Sequence, residues 1–264
     1  MRPLLHAILV TTLVSGCARK REPAPTELQD LVEFLFMNWE DDELVPEAID
    51  NLGSWLATNV DDEETNRGFQ LQPLTDEDVS TVAHPDRDLS GLIGACAGVR
   101  SEFPIEAHST YVPLPDQTFS NPTQYKFYER SLVEGTASGF EGEDTLRTLN
   151  TIETSSFGIT IPYELKKDYK WVETEQERAI FARSWIEDRS CNKDGEGGNC
   201  IEHSYSIDMF YADGSDASLR MTATWSEVDT SITLPEATLV ASLALGLNNV
   251  FHATEKFLQE AAAE

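Results

Sequence analysis

The sequence predicts an α+β fold: N-terminal helices, an antiparallel β-sheet, and a long C-terminal helix packed on that sheet. Three observations carry this expectation. Apolar residues recur at helical spacing near the N-terminus, alternate at strand spacing through the middle, and return to helical spacing at the end. The strand-like stretches follow one another through turns, with no helices between them, which argues against a doubly wound parallel sheet. Hydrophobic residues make up 40% of the 264-residue chain, with five Trp, seven Tyr and twelve Phe, enough for a sizeable core.

The first element is an address. Arg2 precedes an apolar run from Leu4 to Val14, broken by His6, Thr11 and Thr12. The run is too short to span a bilayer and has the charged and apolar parts of a secretory signal. It ends in Leu13-Val14-Ser15-Gly16-Cys17. This resembles the lipobox of bacterial lipoproteins. The resemblance implies that residues 1–16 are a signal peptide and that Cys17 is the lipidated, palmitate-bearing residue. Several acyl chains, rather than a spanning helix, would then hold the protein on a membrane. Ala18 follows the cysteine, where Asp favours inner-membrane retention in enterobacterial members. The location implied is the cell envelope, on the outer membrane, at its periplasmic or surface face. Residues 17–25 form a lipidated tether, kept extended by Pro23 and Pro25, and Arg19-Lys20-Arg21 suits anionic headgroups. Residues 26–264 read as a single α+β domain.

Thr26 with Gln29 suggests a capping box. Leu28, Leu31, Val32, Leu35, Phe36 and Trp39 then predict an amphipathic helix over 27–40. Pro46 suits a first helical turn, and Ala48, Ile49, Leu52, Trp55 and Leu56 extend a second helix to about Thr58. Gly68 to Leu74 reads as a short strand, and Thr75 with Asp78 as the cap of a short helix through Val82. From about Ile105 the pattern becomes β. Alternation marks Tyr125–Val133, pieces of Leu146–Tyr163, Ala179–Asp188 and Ile201–Tyr211. Asp213-Gly214 signals a hairpin, whose return strand sets Leu219, Met221, Ala223 and Trp225 on one face. Five or six antiparallel strands are expected. The last helix runs from Pro235 to about Ala262, with Leu239, Leu243, Leu247, Val250, Phe251 and Leu258 in one stripe. Its first half, Leu239–Leu247, is apolar nearly all round, which predicts deep burial.

Charge narrows the partners. Nineteen Lys and Arg face 47 Asp and Glu, for a formal charge of −28, and removing Arg2 with the signal takes −28 to −29. Phosphate backbones would be repelled, so nucleic acid is not an expected partner. The acids are spread along the chain, which reads as a solvated surface; a surface for a basic partner is the other reading.

Cys191 and Cys200 bracket a run of turn-forming residues, and in an exported protein that spacing reads as a disulfide. Cys96 is left as a small buried hydrophobe. It sits in Gly94-Ala95-Cys96-Ala97-Gly98, which has the spacing of a nucleophile elbow but lacks a convincing strand before it. Asn192, Asp194, Glu196 and Gly197 fall in a calcium-loop register, but His203 stands where the bidentate Glu is needed. No second His or Cys lies at metal spacing beside His203. No catalytic, cofactor-binding or metal residue is assigned, and no cofactor is expected.

The order of elements from Gln124 to Ala262, closing on the apolar C-terminal helix, resembles the helix-grip fold of the START-like superfamily. The resemblance implies a hydrophobic cavity between the sheet and the last helix. Its expected wall is His203, Tyr205, Met209, Trp225, Leu243 and Leu247, with Ala244→Trp as a cavity-filling change. The function implied is a membrane-anchored lipoprotein that binds a lipid or other apolar small molecule. Two alternatives stand beside it. One is a structural or interaction lipoprotein with a solid core and an acidic partner-binding surface. The other is a thiol hydrolase using Cys96.

Overall fold

The structure is a computed structural model, and it describes residues 23–82, 87–156, 158–192, 198–230 and 234–263. The signal peptide, Cys17 and Ala18 to Glu22 of the tether lie outside the described residues, as do Asp194, Glu196 and Gly197.

Helices α1 (Leu28–Met37), α2 (Val45–Asn59) and α3 (Glu63–Arg67) lead into strands β1 (Phe69–Leu71) and β2 (Ile93–Ser101). Helix α4 (Ile105–Tyr111) and a 3-10 turn (Thr118–Ser120) precede β3 (Tyr125–Glu134) and helix α5 (Ala137–Glu141). Then come β4 (Leu146–Ser156), β5 (Ile159–Glu173), β6 (Arg178–Trp185), β7 (Ser190–Cys191), β8 (Cys200–Ala212), β9 (Ser218–Asp229) and helix α6 (Glu236–Ala262). The nine strands form one sheet in the order β1-β2-β9-β8-β6-β5-β4-β3, with β7 paired to β8. Every neighbouring pair is antiparallel. The long helix lies on this sheet, so the expected α+β architecture is the one found.

Both faces of the sheet are covered, and strand periodicity sorts the residues between them. Tyr205, Ile207, Met209 and Tyr211 of β8 and Ala223 and Trp225 of β9 pack under α1 and α2, against Leu31, Leu35, Phe36, Ile49, Leu52 and Leu56. Phe36 meets Tyr205 and Trp225 edge-on, with ring centroids 5.7 and 6.1 Å apart. Each such side chain contributes roughly 1.5–3 kcal/mol through burial. Arg183 enters the same layer. Its guanidinium stacks over Phe36, Trp39 and Trp185 and donates to Thr81 Oγ1 at 3.1 Å. Burial draws its pKa down to about 10. On the other face, Phe210, Ile180, Tyr169 and Leu146 join Ile105, Tyr111 and Phe140 beneath Leu258 of α6.

Several local expectations are corrected. Thr26 and Gln29 form no capping box: Glu27 is the N-cap residue without a side-chain bond, and Gln29 Oε1 instead accepts from Gln72 N at 2.9 Å. Thr75 and Asp78 do bond reciprocally, but within a turn rather than a helix. The region after Ile105 opens with helix α4 before strand pairing resumes at Tyr125. Among the described residues the sheet has nine strands rather than five or six, because β1 and β2 extend it beyond β9 and the short β7 pairs with β8. The chain also docks before residue 26: Ala24 is buried, donates to Glu47 Oε1, and Asn51 Nδ2 donates to Pro25 O at 2.8 Å.

Candidate functional site: a cavity under the last helix

Helix α6 is fixed at its C-terminal half. Glu255 Oε2 accepts from Ser101 Oγ at 2.8 Å and Oε1 accepts from Glu102 N at 2.9 Å. Arg220 Nη1 donates to Thr254 Oγ1 at 2.6 Å while its guanidinium lies between Phe210 and Phe251. Among the described residues, the N-terminal half is held by hydrogen bonds along one edge. Asn248 Nδ2 donates to Asn66 O at 2.6 Å. Ala244 presses on Gly68, whose φ of +82° and close approach both demand glycine: an added Cβ would stand 2.7 Å from the Ala244 methyl.

The other edge of that half roofs a cavity of about 400 Å³. Leu239, Leu243, Leu247 and Val250 form the roof, and each is only half-buried. Deep burial was expected for Leu239–Leu247, yet only Ala244 of that stretch is buried, and Leu245 is 61% exposed. The reason is that the stripe faces a void instead of packed side chains. Ile159, Ile161 and Tyr163 of β5 make one side wall, with Ile201 and the half-exposed Val228 at the rim. The floor is the α6-facing side of the sheet, where Ser204, Thr224 and Ser226 alternate with the residues of the α1–α2 core. Asn121, Gln124 and Tyr125 close the far corner. Burial raises the Tyr163 hydroxyl well above its usual pKa, helped by Tyr125 and Tyr128, so it stays protonated at neutral pH.

Beside the floor, on the same face of the sheet, lies an internal ion pair. Lys167 Nζ sits 2.6 Å from Asp208 Oδ2, and Asp208 Oδ1 accepts from Thr222 Oγ1 at 2.7 Å. Burial works to lower the Lys167 pKa, but the Asp208 charge overrides it and the net shift is upward.

The structure divides the expected wall. Leu243 and Leu247 line the cavity. Tyr205, Met209 and Trp225 do not; they lie on the opposite face, in the α1–α2 core. His203 shares that face, stacked on Tyr205, with Nε2 bonded to Asp88 O at 3.0 Å. Burial lowers its pKa, which keeps the ring neutral. The apolar alternation chosen from sequence belongs to the face that two helices seal, and the cavity uses the hydroxyl-bearing alternation. Ala244 likewise points at Gly68 rather than into the void. Gly246 is the open position: a Cβ there would meet only Gln124, at 3.7 Å.

Cys191 and Cys200 are joined in a disulfide, pairing β7 with β8 beside Ile201. Cys96 is buried in the middle of β2, not at a strand-to-helix turn, and burial raises its thiol pKa far from the thiolate range. No nucleophile elbow exists there. Among the described residues no group of three or more His, Cys, Asp or Glu is placed to hold a metal ion, and no helix is long and apolar enough to cross a membrane.

No known family model matches the sequence, and no curated protein matches it. Solved structures with a similar chain course exist at low identity. A START superfamily protein from Mycobacterium smegmatis superposes with a TM-score of 0.39 and 13% identity, covering 64% of this chain and 98% of that one. A STAR-related lipid transfer protein fragment from Xanthomonas axonopodis gives 0.41 and 11%, covering 66% and 96%. The human StarD13 lipid transfer and protein localization domain gives 0.40 and 12%, covering 62% and 77%.

Proposed function

We propose that this chain is a membrane-anchored bacterial lipoprotein whose domain binds a lipid or other apolar ligand between the sheet and α6. One observation carries the binding reading: Leu239, Leu243, Leu247 and Val250 stand half-buried over a cavity of about 400 Å³, in a helix pinned elsewhere by hydrogen bonds. Apolar side chains aimed into a void lose contacts that a bound apolar molecule would restore. The alternative of a structural lipoprotein with a solid core and an acidic partner-binding surface is less well supported, because that core would be expected to fill this space.

The anchor reading rests on Leu13-Val14-Ser15-Gly16-Cys17, and the location proposed with it is the cell envelope, on the outer membrane. Cys17→Ser is expected to abolish incorporation of labelled palmitate, and persistent labelling would refute the lipobox reading. For the cavity, Gly246→Phe is expected to abolish uptake of an uncharged solvatochromic dye such as Nile red while leaving the unfolding transition in place. Undiminished dye binding by that variant would show that the cavity is not the site.

A further inference from the structure

A quarter of this chain's residues are charged, yet none of the described residues lining the cavity carries a charge. The polar groups there are hydroxyls and amides. Thr224 and Ser226 already donate to backbone carbonyls, at 3.3 Å each, across the β8–β9 pair. Asn121 Nδ2 donates to Gln124 Oε1 at 2.8 Å, which holds the Gln124 amide against Gly246 on the cavity side. The internal charges that act on a lining residue are those of Lys167, Asp208 and Arg130, felt by Tyr125; Arg130 is turned away onto Asn150 Oδ1, Val112 O and the Tyr128 hydroxyl. Lys167 and Asp208 neutralise each other at 2.6 Å, and Thr222 completes the carboxylate.

We infer that the ligand is an uncharged amphiphile, with an aliphatic or ring body and hydroxyl, ester or amide groups, and that carboxylates, phosphates and ammonium ions are excluded. This rests on the reading of the cavity as a ligand site. An ion entering the cavity would leave its water shell and find no opposite charge to pair with. The roof takes the apolar body, and the floor and the Gln124 corner offer neutral donors and acceptors. Outside, a formal charge of −28 repels anionic ligands further.

The test is competition for bound Nile red on the purified protein by dodecanol, dodecanoate and dodecylammonium, which share one chain and differ in charge. Dodecanol is expected to displace the dye, with the two ions at least about a hundredfold weaker at neutral pH. Dodecanoate should gain about tenfold in potency per pH unit as the pH falls toward its carboxyl pKa, since the neutral acid is the binding form. Leu243→Lys, which sets an ammonium in the lining, should admit dodecanoate. Equal or better displacement by dodecanoate at neutral pH would overturn the inference and leave the binding reading standing. No binding of Nile red or dodecanol would overturn both.

Discussion

The Ser101 hydroxyl donates to Glu255 Oε2 at 2.8 Å and stands 3.1 Å from His108 Nε2, so one small side chain ties the end of β2 to both α4 and α6. It also accepts from Phe103 N at 3.2 Å. Ser101→Ala removes the hub and leaves the buried His108 and the half-buried Glu255 each short of a bond. The expected cost is about 1–3 kcal/mol, seen as a lower urea midpoint with an unchanged slope. A loss below roughly 0.5 kcal/mol would mean that the hub contributes little to stability.

His108 gives the fold an acid sensitivity. Its pKa is lowered well below the usual value, first by burial and then by Arg220, so the folded state holds it neutral. In the unfolded chain it protonates near pH 6.5. Between the folded and unfolded pKa values the unfolded state binds the extra proton, so stability is flat above about pH 6.5 and falls below it. His203, lowered by its own burial, adds in the same direction. His108→Asn should lower stability overall but flatten its dependence on pH between about 6.5 and 5, read from urea titrations at several pH values.

Lys167 and Asp208 form a pair whose members are 14% and 17% exposed, so neither can be solvated fully if the other is removed. Lys167→Met alone should cost about 3–5 kcal/mol, because it strands a buried carboxylate. Combining it with Asp208→Leu should recover most of that loss. A double variant no more stable than the single one would show that the pair is a net contributor rather than a mutual compensation.

Gly246 sits inside α6 with φ in the helical range and only Gln124 near its missing Cβ. Gly246→Ala should therefore stabilise the protein by up to about 1 kcal/mol through helix propensity alone. Thermal unfolding measures it, and destabilisation would show that the cavity is tighter there than the geometry indicates.

The helices were legible because their apolar faces are large and periodic: Leu28 to Trp39, Ala48 to Leu56, and the Leu239 to Leu258 stripe. Strand β2 was not, because Gly94, Ala95, Cys96, Ala97 and Gly98 are buried on both faces and show no alternation. Their smallness is what neighbours require: a Cβ on Gly94 would stand 2.6 Å from the Trp225 indole, and one on Gly98 2.8 Å from Leu56. For the site, the roof residues Leu243 and Leu247 could be read from the helix. The floor could not, because sequence offered an apolar and a hydroxyl alternation on β8 and β9 and the apolar one looked like a wall. The clue was in α1 and α2, which also needed an apolar face to cover, and only one such face was available.

The sheet therefore separates what keeps the protein folded from what a ligand would touch. The aromatic layer under α1 and α2 lies on the far side of β8 and β9 from the cavity. Substitutions at Ser204, Thr224 or Leu243 leave that layer intact. Such a molecule is well suited to divergence: its lining can be rewritten for a new ligand, one residue at a time, by a chain that remains folded at every step.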